Sequence, residues 1–188
     1  MDRRKFIKRV GISTAVIATA GTGFGLVFDH KTTHQPLAVR TVRFTSMAEA
    51  RKELEIIEKA KGLEVSGDWD LYQNLIHCAQ SIEYSLTGYP KDRNPLFQLT
   101  IGALALSKFD RQGFMAHNLN EPIPKAPVIQ PKGQLDQAFF RLRKAIDDFD
   151  RHQGSFKPHF AYGKLTKKAY AKAHAMHLAD HFSGMNYG

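Results

Sequence analysis

The sequence predicts an all-α fold, a bundle of four amphipathic helices with one long crossover connection that contains an extra short helix. Apolar side chains recur at helical spacing in four stretches, near residues 46–61, 66–87, 134–152 and 166–183. Four prolines fall between residues 113 and 133, which indicates a long connection between the second and third of these stretches. No stretch predicts a strand.

Residues 1–28 are predicted to be an export signal. Arg3-Arg4 is followed closely by Phe6-Ile7-Lys8, and residues 11–28 contain no charged side chain. A basic start before an apolar stretch is typical of a secretory signal, and the arginine pair favours the twin-arginine route. We therefore expect an exported, periplasmic protein that interacts with the twin-arginine translocation machinery. An ordinary secretory signal is the alternative.

The signal has two possible fates. Ala18-Thr19-Ala20 places small side chains at the spacing of a signal-peptidase site, which favours cleavage. The alternative is an uncleaved signal that associates with the membrane through residues 10–28, a stretch close to the minimum length for a bilayer span. Residues 29–44 are predicted to form an irregular arm, and residues 45–188 the helical domain.

The first two helices have their own boundary signals. Ser46 and Glu49 have the spacing of a capping box at the start of helix one. Ser66 or Asp68 can cap helix two, which ends before Gly88-Tyr89-Pro90.

The remaining helices follow in order. Asn94-Pro95 starts a short helix, about 95–109, whose side chains are apolar on nearly all sides. Such a helix is expected to be buried or to lie against a membrane or partner. Leu142 lies on the clear apolar face of the 134–152 helix, and Thr166 is expected to cap the last helix.

Composition narrows the function classes. The net charge of +9 belongs partly to the export signal, and the rest is spread without a dense basic run, so no nucleic-acid-binding surface is expected. Cys78 is the one cysteine of the sequence, so no intramolecular disulfide can form. Its apolar neighbours predict a buried thiol.

Three histidines fall within eight residues of the last predicted helix. His177 and His181 are four residues apart and share one face of the helix, and His174 lies one turn before His177. Imidazoles at this spacing can bind one divalent metal ion such as Zn, Ni or Fe. The alternative is a solvated or hydrogen-bonded histidine cluster.

His77 in helix two is the natural third ligand. On a helical wheel, however, it shares a polar arc with Asp70, Gln73 and Tyr84, opposite the apolar stripe. His77 therefore faces a metal only if helix two is packed on both sides, with its polar arc toward a wet cleft.

Two sequence runs resemble a known superfamily. The first is Ile76–Ser85 with Gly88-Tyr89-Pro90 after it, and the second is His159–Thr166 leading into the histidine helix. Together they resemble a branch of unknown function within the DinB/YfiT-like superfamily of four-helix bundles, over roughly residues 43–184.

The resemblance implies a metal site and a fold. In the superfamily, one histidine of helix two and a His-x-x-x-His pair of the last helix bind a divalent metal, which here correspond to His77, His177 and His181. Characterised relatives include thiol-dependent transferases and isomerases, and others are presumed metal hydrolases. Many relatives carry a further histidine where this chain has Asp180, whose carboxylate would either support a ligand or face solvent.

Other polar residues receive weaker assignments. Glu83 is a candidate general base, although it lies six residues from His77 and a solvent-facing position is favoured. His117 is interpreted as an ordinary loop histidine that could instead close over the site. His159 is expected to cap or orient the last helix rather than to bind metal.

These observations lead to two functional hypotheses. The first is an exported DinB-like protein that holds Zn, Ni, Fe or Mn through His77, His177 and His181, as a metal-dependent hydrolase or transferase of an unknown small molecule. The second is a non-catalytic envelope binding protein, in which the histidines are structural and the apolar 96–109 helix meets a partner. An open metal position beside a pocket would favour the first.

Overall fold

The computed structural model describes residues 40–187, and this part of the chain is mostly helical, as predicted. A two-stranded antiparallel sheet pairs Glu64 with Asn186 and Val65 with Met185. The elements in chain order are α1 (Met47–Lys59), β1 (Glu64–Val65), α2 (Leu71–Thr87), α3 (Pro95–Phe97), a π-helical turn (Gln98–Gly102), α4 (Ala103–Gln112), α5 (Leu135–Arg151), α6 (Lys167–Ser183) and β2 (Met185–Asn186).

The predicted export signal at residues 1–28 and most of the predicted arm at 29–44 lie outside the described residues. Between residues 40 and 187, no helix combines the length and the apolar character that a membrane span requires.

The core lies between the four long helices. Helix α2 packs against α5 and α6, and α1 packs against the same two helices. Leu54, Leu75, Leu142 and Phe182 are fully buried there, and Cys78 is buried among them as expected. Burying such side chains, at roughly 1.5–3 kcal/mol each, is the main force that holds these helices together.

The last residues of the predicted arm belong to this core. The side chains of Val42 and Phe44 are buried, and Phe44 meets Phe182 edge to face. The backbone N–H groups of Arg40 and Val42 donate to the carbonyl and the hydroxyl of Ser183. This short stretch is therefore fixed against the end of α6.

The start of α2 differs from the prediction, because Asp70 caps the helix in place of Ser66 or Asp68. Asp70 Oδ1 accepts from the backbone of Gln73 at 2.8 Å, and Gln73 Oε1 accepts from the backbone of Asp70 at 3.1 Å. Ser66 instead donates to the carbonyl of Gly184 beside the sheet. Pairing of β1 with β2 uses the residues just before Ser66, which delays the helix.

The short sheet was not predicted. Each strand contains only two residues, too few to show the alternation that identifies a strand in a sequence. The pairing joins residues more than one hundred positions apart, and it ties the end of α6 to the connection before α2.

The predicted 95–109 helix is present but interrupted, because the π-helical turn separates α3 from α4. Leu96, Leu99 and Leu104 are exposed at 68%, 77% and 70%, so this face is not buried against the described residues. On the inner side, a Cβ at Gly102 would overlap the carbonyl oxygen of Ala161. Only glycine permits this close approach.

Leu142→Ala is expected to reduce the free energy of unfolding by roughly 2–5 kcal/mol, because the fully buried side chain would leave a cavity between α2 and α5. Urea denaturation measures this change. Leu135→Ala is the matched control, since Leu135 begins the same helix and is 41% exposed. Similar losses for the two variants would contradict the packing described here.

Candidate metal centre

Four histidines from three parts of the chain meet at one point. His77 comes from α2, His177 and His181 come from α6, and His117 comes from the connection between α4 and α5. One ring nitrogen from each lies within 4.8 Å of the others, close enough for a single metal ion. His77 and His181 are buried, whereas His117 and His177 are half-buried.

The three ligands predicted from the sequence lie together. Nε2 of His77 is 3.3 Å from Nε2 of His177, and the His77 ring centroid is 5.0 Å from that of His181. Helix α2 is packed on both sides, which is the condition under which His77 can face a metal. Leu75 and Ile82 are buried in the core, and His77 is buried as well. Of the polar arc of α2, His77 thus faces α6.

His117 is the member for which the sequence favoured an ordinary loop role, with closure over the site as the alternative, and the structure places it in the cluster. Its ring centroid lies 5.0 Å from that of His177 and 5.4 Å from that of His181. The connection that contains it is held by the buried side chains of Met115, Leu119 and Ile123. These three apolar residues recur every four positions around His117, and this pattern in the sequence could have indicated that the segment packs against the helices.

Hydrogen bonds fix the tautomer of His181. Asn74 Nδ2 donates to the carbonyl oxygens of Trp69 and Asp70, at 3.1 and 2.9 Å, so Oδ1 is its free acceptor. Nδ1 of His181 lies 2.8 Å from that oxygen and must therefore donate. Nε2 of His181 is left with a lone pair, and it is buried without a partner among the described residues.

His177 is oriented in the same way by Ser81. The Ser81 hydroxyl donates its one proton to the carbonyl of Cys78 at 3.0 Å. Its oxygen can therefore only accept from Nδ1 of His177, which lies 3.2 Å away. Nε2 of His177 is consequently unprotonated, and it faces His77.

Asp180 supports His117, one of the two roles considered for it. Its Oδ2 accepts from the backbone N–H of His117 at 3.1 Å and lies 2.7 Å from Nδ1 of the His117 ring. The ring N–H points away from this line, so the second contact is electrostatic and not a full hydrogen bond. A carboxylate beside Nδ1 still favours the proton there and leaves Nε2 free.

The Nε2 atoms of His177 and His181 therefore direct lone pairs into the cluster. Burial, and then the charge of His117, lowers the pKa of His77 to about 3. Burial and the neighbouring histidines hold the pKa values of His177 and His181 well below the ordinary range. Neutral imidazoles are the form that binds metal, and an all-imidazole donor set suits Zn, Ni and Fe. The residues present therefore fit a divalent metal ion.

A cavity of about 290 Å³ adjoins the cluster, and His77, His117 and His177 line it. Most of its other walls are apolar. They come from the α3–α4 segment, from the connection around residues 115–124, and from the turn at 159–162. This contrasts with the wet cleft expected from the polar arc of α2.

Glu83 is not placed in this site. Its two carboxylate oxygens accept from Nε and Nη2 of Arg141 on α5, at 2.8 and 2.7 Å, and its side chain does not line the cavity. Six residues from His77 on a helix is about one and two-thirds turns, which directs Glu83 to a different face. The structure thus gives Glu83 an ion-pairing position between helices.

His159, which is half-buried, and His174, which is buried, both lie outside the cluster. Nδ1 of His159 accepts from the backbones of Ala161 and Tyr162, at 3.1 and 3.2 Å, which organises its own turn, while Thr166 caps α6. His174 stacks on Tyr170 and lines the cavity one turn before His177.

These two histidines predict acid sensitivity. Burial lowers the pKa of each to about 3, whereas a histidine of the unfolded chain titrates near 6.5. Below pH 6.5 the unfolded state therefore takes up protons that the folded state does not, and stability falls, by up to about 1.4 kcal/mol per pH unit for each histidine. Urea denaturation of the metal-free protein at pH 7.5 and 5.5 measures this loss, to which His77, His177 and His181 add in the same direction because their pKa values are lowered as well.

A variant of His174 tests whether this histidine contributes to the loss of stability at low pH. His174→Phe keeps a planar ring but removes one titrating group, so its stability should depend less steeply on pH. Equal stability of the wild-type protein at pH 7.5 and 5.5 would contradict the prediction.

Comparison with known proteins gives a family but no activity. No curated protein and no solved structure matches the chain. Residues 37–186 match the family described as "Protein of unknown function (DUF1569)", which covers the whole helical part described above. The chain therefore belongs to the DUF1569 family.

Proposed function

We propose that this protein binds one divalent metal ion through His77, His177 and His181, with His117 as a fourth ligand, and acts on a small molecule as a metal-dependent hydrolase or transferase. The observation behind the proposal is the fixed tautomers of His177 and His181. Their Nε2 lone pairs converge in the cluster, and Nε2 of His181 is buried without a partner among the described residues, which costs about 1–3 kcal/mol. A cation relieves that cost.

We also propose that the fold is a DinB-like four-helix bundle. Helices α1, α2, α5 and α6 pack pairwise around one core, and α3 and α4 lie in the crossover between α2 and α5. Together with one histidine from α2 and a pair from α6, this arrangement supports a four-helix bundle of the DinB-like kind.

A divalent metal in such a site supplies Lewis-acid chemistry, polarising a carbonyl or activating water. The chain's own residues prepare the site. Asn74, Ser81 and Asp180 hold three of the imidazoles in the orientation that directs nitrogen lone pairs inward. The apolar cavity keeps bulk water away from a bound molecule, which strengthens electrostatic interactions there.

An open metal position separates this proposal from the non-catalytic alternative. Four histidines would complete a tetrahedral zinc site, whereas a five- or six-coordinate ion would keep positions for a substrate on the side of the cavity. The half-buried His117 and His177, which line the cavity, support the second arrangement. The exposed leucines of α3 and α4 support an interaction role for that face, which is compatible with either function.

The experiment tests whether a small exogenous ligand can bind to the metal ion. Protein reconstituted with Ni²⁺ should change its visible absorption when azide is added, because azide would occupy a free position that faces the cavity. A spectrum that azide leaves unchanged would assign the ion a closed, structural role. Absence of bound metal after reconstitution with Zn, Ni, Fe or Mn would refute both roles.

We also propose that the protein is exported in folded form, since a metal can then be loaded before translocation. This rests on Arg3-Arg4 and Phe6-Ile7-Lys8 in the predicted signal. Changing Arg3 and Arg4 to lysine should retain a fused reporter in the cytoplasm, if the reporter is one that only the twin-arginine route can export. Export that survives the double substitution would favour an ordinary secretory signal.

A further inference from the structure

The cavity beside the metal centre has a clear chemical division. Its walls are formed by apolar side chains such as Phe97, Ile101, Phe109 and Phe160. At the inner end lie the histidines and Ser81. The two charged side chains that line it, Arg93 and Glu121, are exposed residues, which places them at the solvent side.

These walls are built into the fold. The π-helical turn lies against the 159–163 turn at Gly102, where a Cβ would overlap Ala161. Gln98 Nε2 donates to the carbonyl of Phe160 at 3.1 Å, and the backbone of Arg93 donates to the same oxygen at 2.8 Å. π-helical turns occur frequently at functional sites. The segment that covers the cavity is thus held in place by specific contacts, as expected for a largely preformed ligand site.

We propose that the natural ligand is a predominantly apolar small molecule with one metal-binding polar group, and that its apolar body lies against α4. This inference rests on the proposed metal function. A cavity of 150 Å³ holds benzene, so one of about 290 Å³ accommodates about a dozen non-hydrogen atoms. The polar groups of a polyhydroxylated or multiply charged ligand would lose their hydrogen bonds to water and find no partners on these walls. Each such group would cost about 1–3 kcal/mol of binding free energy.

Two neighbouring positions on α4 offer a matched pair of variants. Ala105 lines the cavity, so Ala105→Phe should fill it. Ala103 is exposed on the same helix and does not line the cavity, so Ala103→Phe introduces the same side chain elsewhere. Both positions lie near the protein surface, away from the core between the long helices.

The first experiment uses the full chain loaded with Zn²⁺ and two probes with the same metal-binding head, acetohydroxamate and benzohydroxamate. Isothermal titration should show benzohydroxamate binding at least about tenfold more tightly, because its ring is buried against apolar walls. Each affinity is corrected by dividing it by the affinity of the same probe for free Zn²⁺, so that a difference between the two head groups does not count as a preference of the cavity. The preference should disappear in Ala105→Phe and persist in Ala103→Phe.

A second experiment does not depend on the metal. Indole should raise the midpoint of thermal unfolding of the metal-free wild type and of Ala103→Phe, but not that of Ala105→Phe. Indole binding without any metal binding would support the apolar ligand class and refute the proposed metal function. Equal corrected affinities for the two hydroxamates, or indole binding unaffected by Ala105→Phe, would overturn the apolar ligand class and leave the metal site standing.

Discussion

His181→Ala is expected to abolish retention of a divalent metal by the purified protein. His181 is fully enclosed, and Asn74 fixes its tautomer so that Nε2 faces the other three histidines. Loss of a residue that only orients a metal ligand typically weakens metal affinity about 10–100-fold. Loss of the ligand itself should weaken it by more. His77→Ala and His177→Ala should behave alike. Elemental analysis after reconstitution and dialysis gives the number of ions per chain.

His174→Ala is the matched control for these variants. His174 is on the same helix, is buried to a similar extent, and lies outside the cluster, so it reproduces the packing defect without removing a ligand. His152→Ala provides a second control in a half-buried position. Equal metal content in the controls and in the ligand variants would show that the cluster does not bind the ion.

His117→Ala tests whether the loop histidine is a full ligand. Because His117 is half-buried and belongs to a connection, its loss should leave an ion bound by three imidazoles, with weaker affinity and an additional free position. Metal content should therefore fall less than in His181→Ala at the same free metal concentration. A loss as complete as in His181→Ala would make His117 an essential ligand.

The helices could be predicted from the sequence because each has local signals that agree with its packing. Helix α5, predicted at 134–152, spans Leu135–Arg151, and α6 begins after Thr166 as its cap indicated. The start of α2 was displaced by the pairing of β1 with β2. That pairing depends on chain segments far apart in sequence, so no local pattern reveals it.

The same distinction applies to the site. The spacing of His177 and His181 lies within one helix and could be read directly, and the superfamily resemblance added His77. His117 could not be assigned, because the position of a loop residue depends on the path of the connection. Asn74 and Ser81 were also missed, since both are small polar residues on a mostly buried helix, and their role becomes apparent only when α6 lies beside α2.

Ser81→Ala is expected to weaken metal affinity by about 10–100-fold without removing any ligand. The Ser81 oxygen accepts from Nδ1 of His177 at 3.2 Å, which holds the ring and keeps its proton away from the metal-facing nitrogen. Without this acceptor, His177 can rotate or change tautomer, and a proton on Nε2 prevents binding. Competition with a chromophoric chelator measures the affinity of each variant.

Ser85→Ala is a close control for this effect. Ser85 is one turn further along α2, is fully buried, and donates to the carbonyl three residues before it, as Ser81 does. It makes no hydrogen bond to a histidine among the described residues, so the alanine variant removes the same atoms without disturbing His177. Ser85→Ala should therefore keep the wild-type affinity. If both serine variants lose affinity equally, the cause is a general loosening of α2, and the tautomer argument for His177 fails.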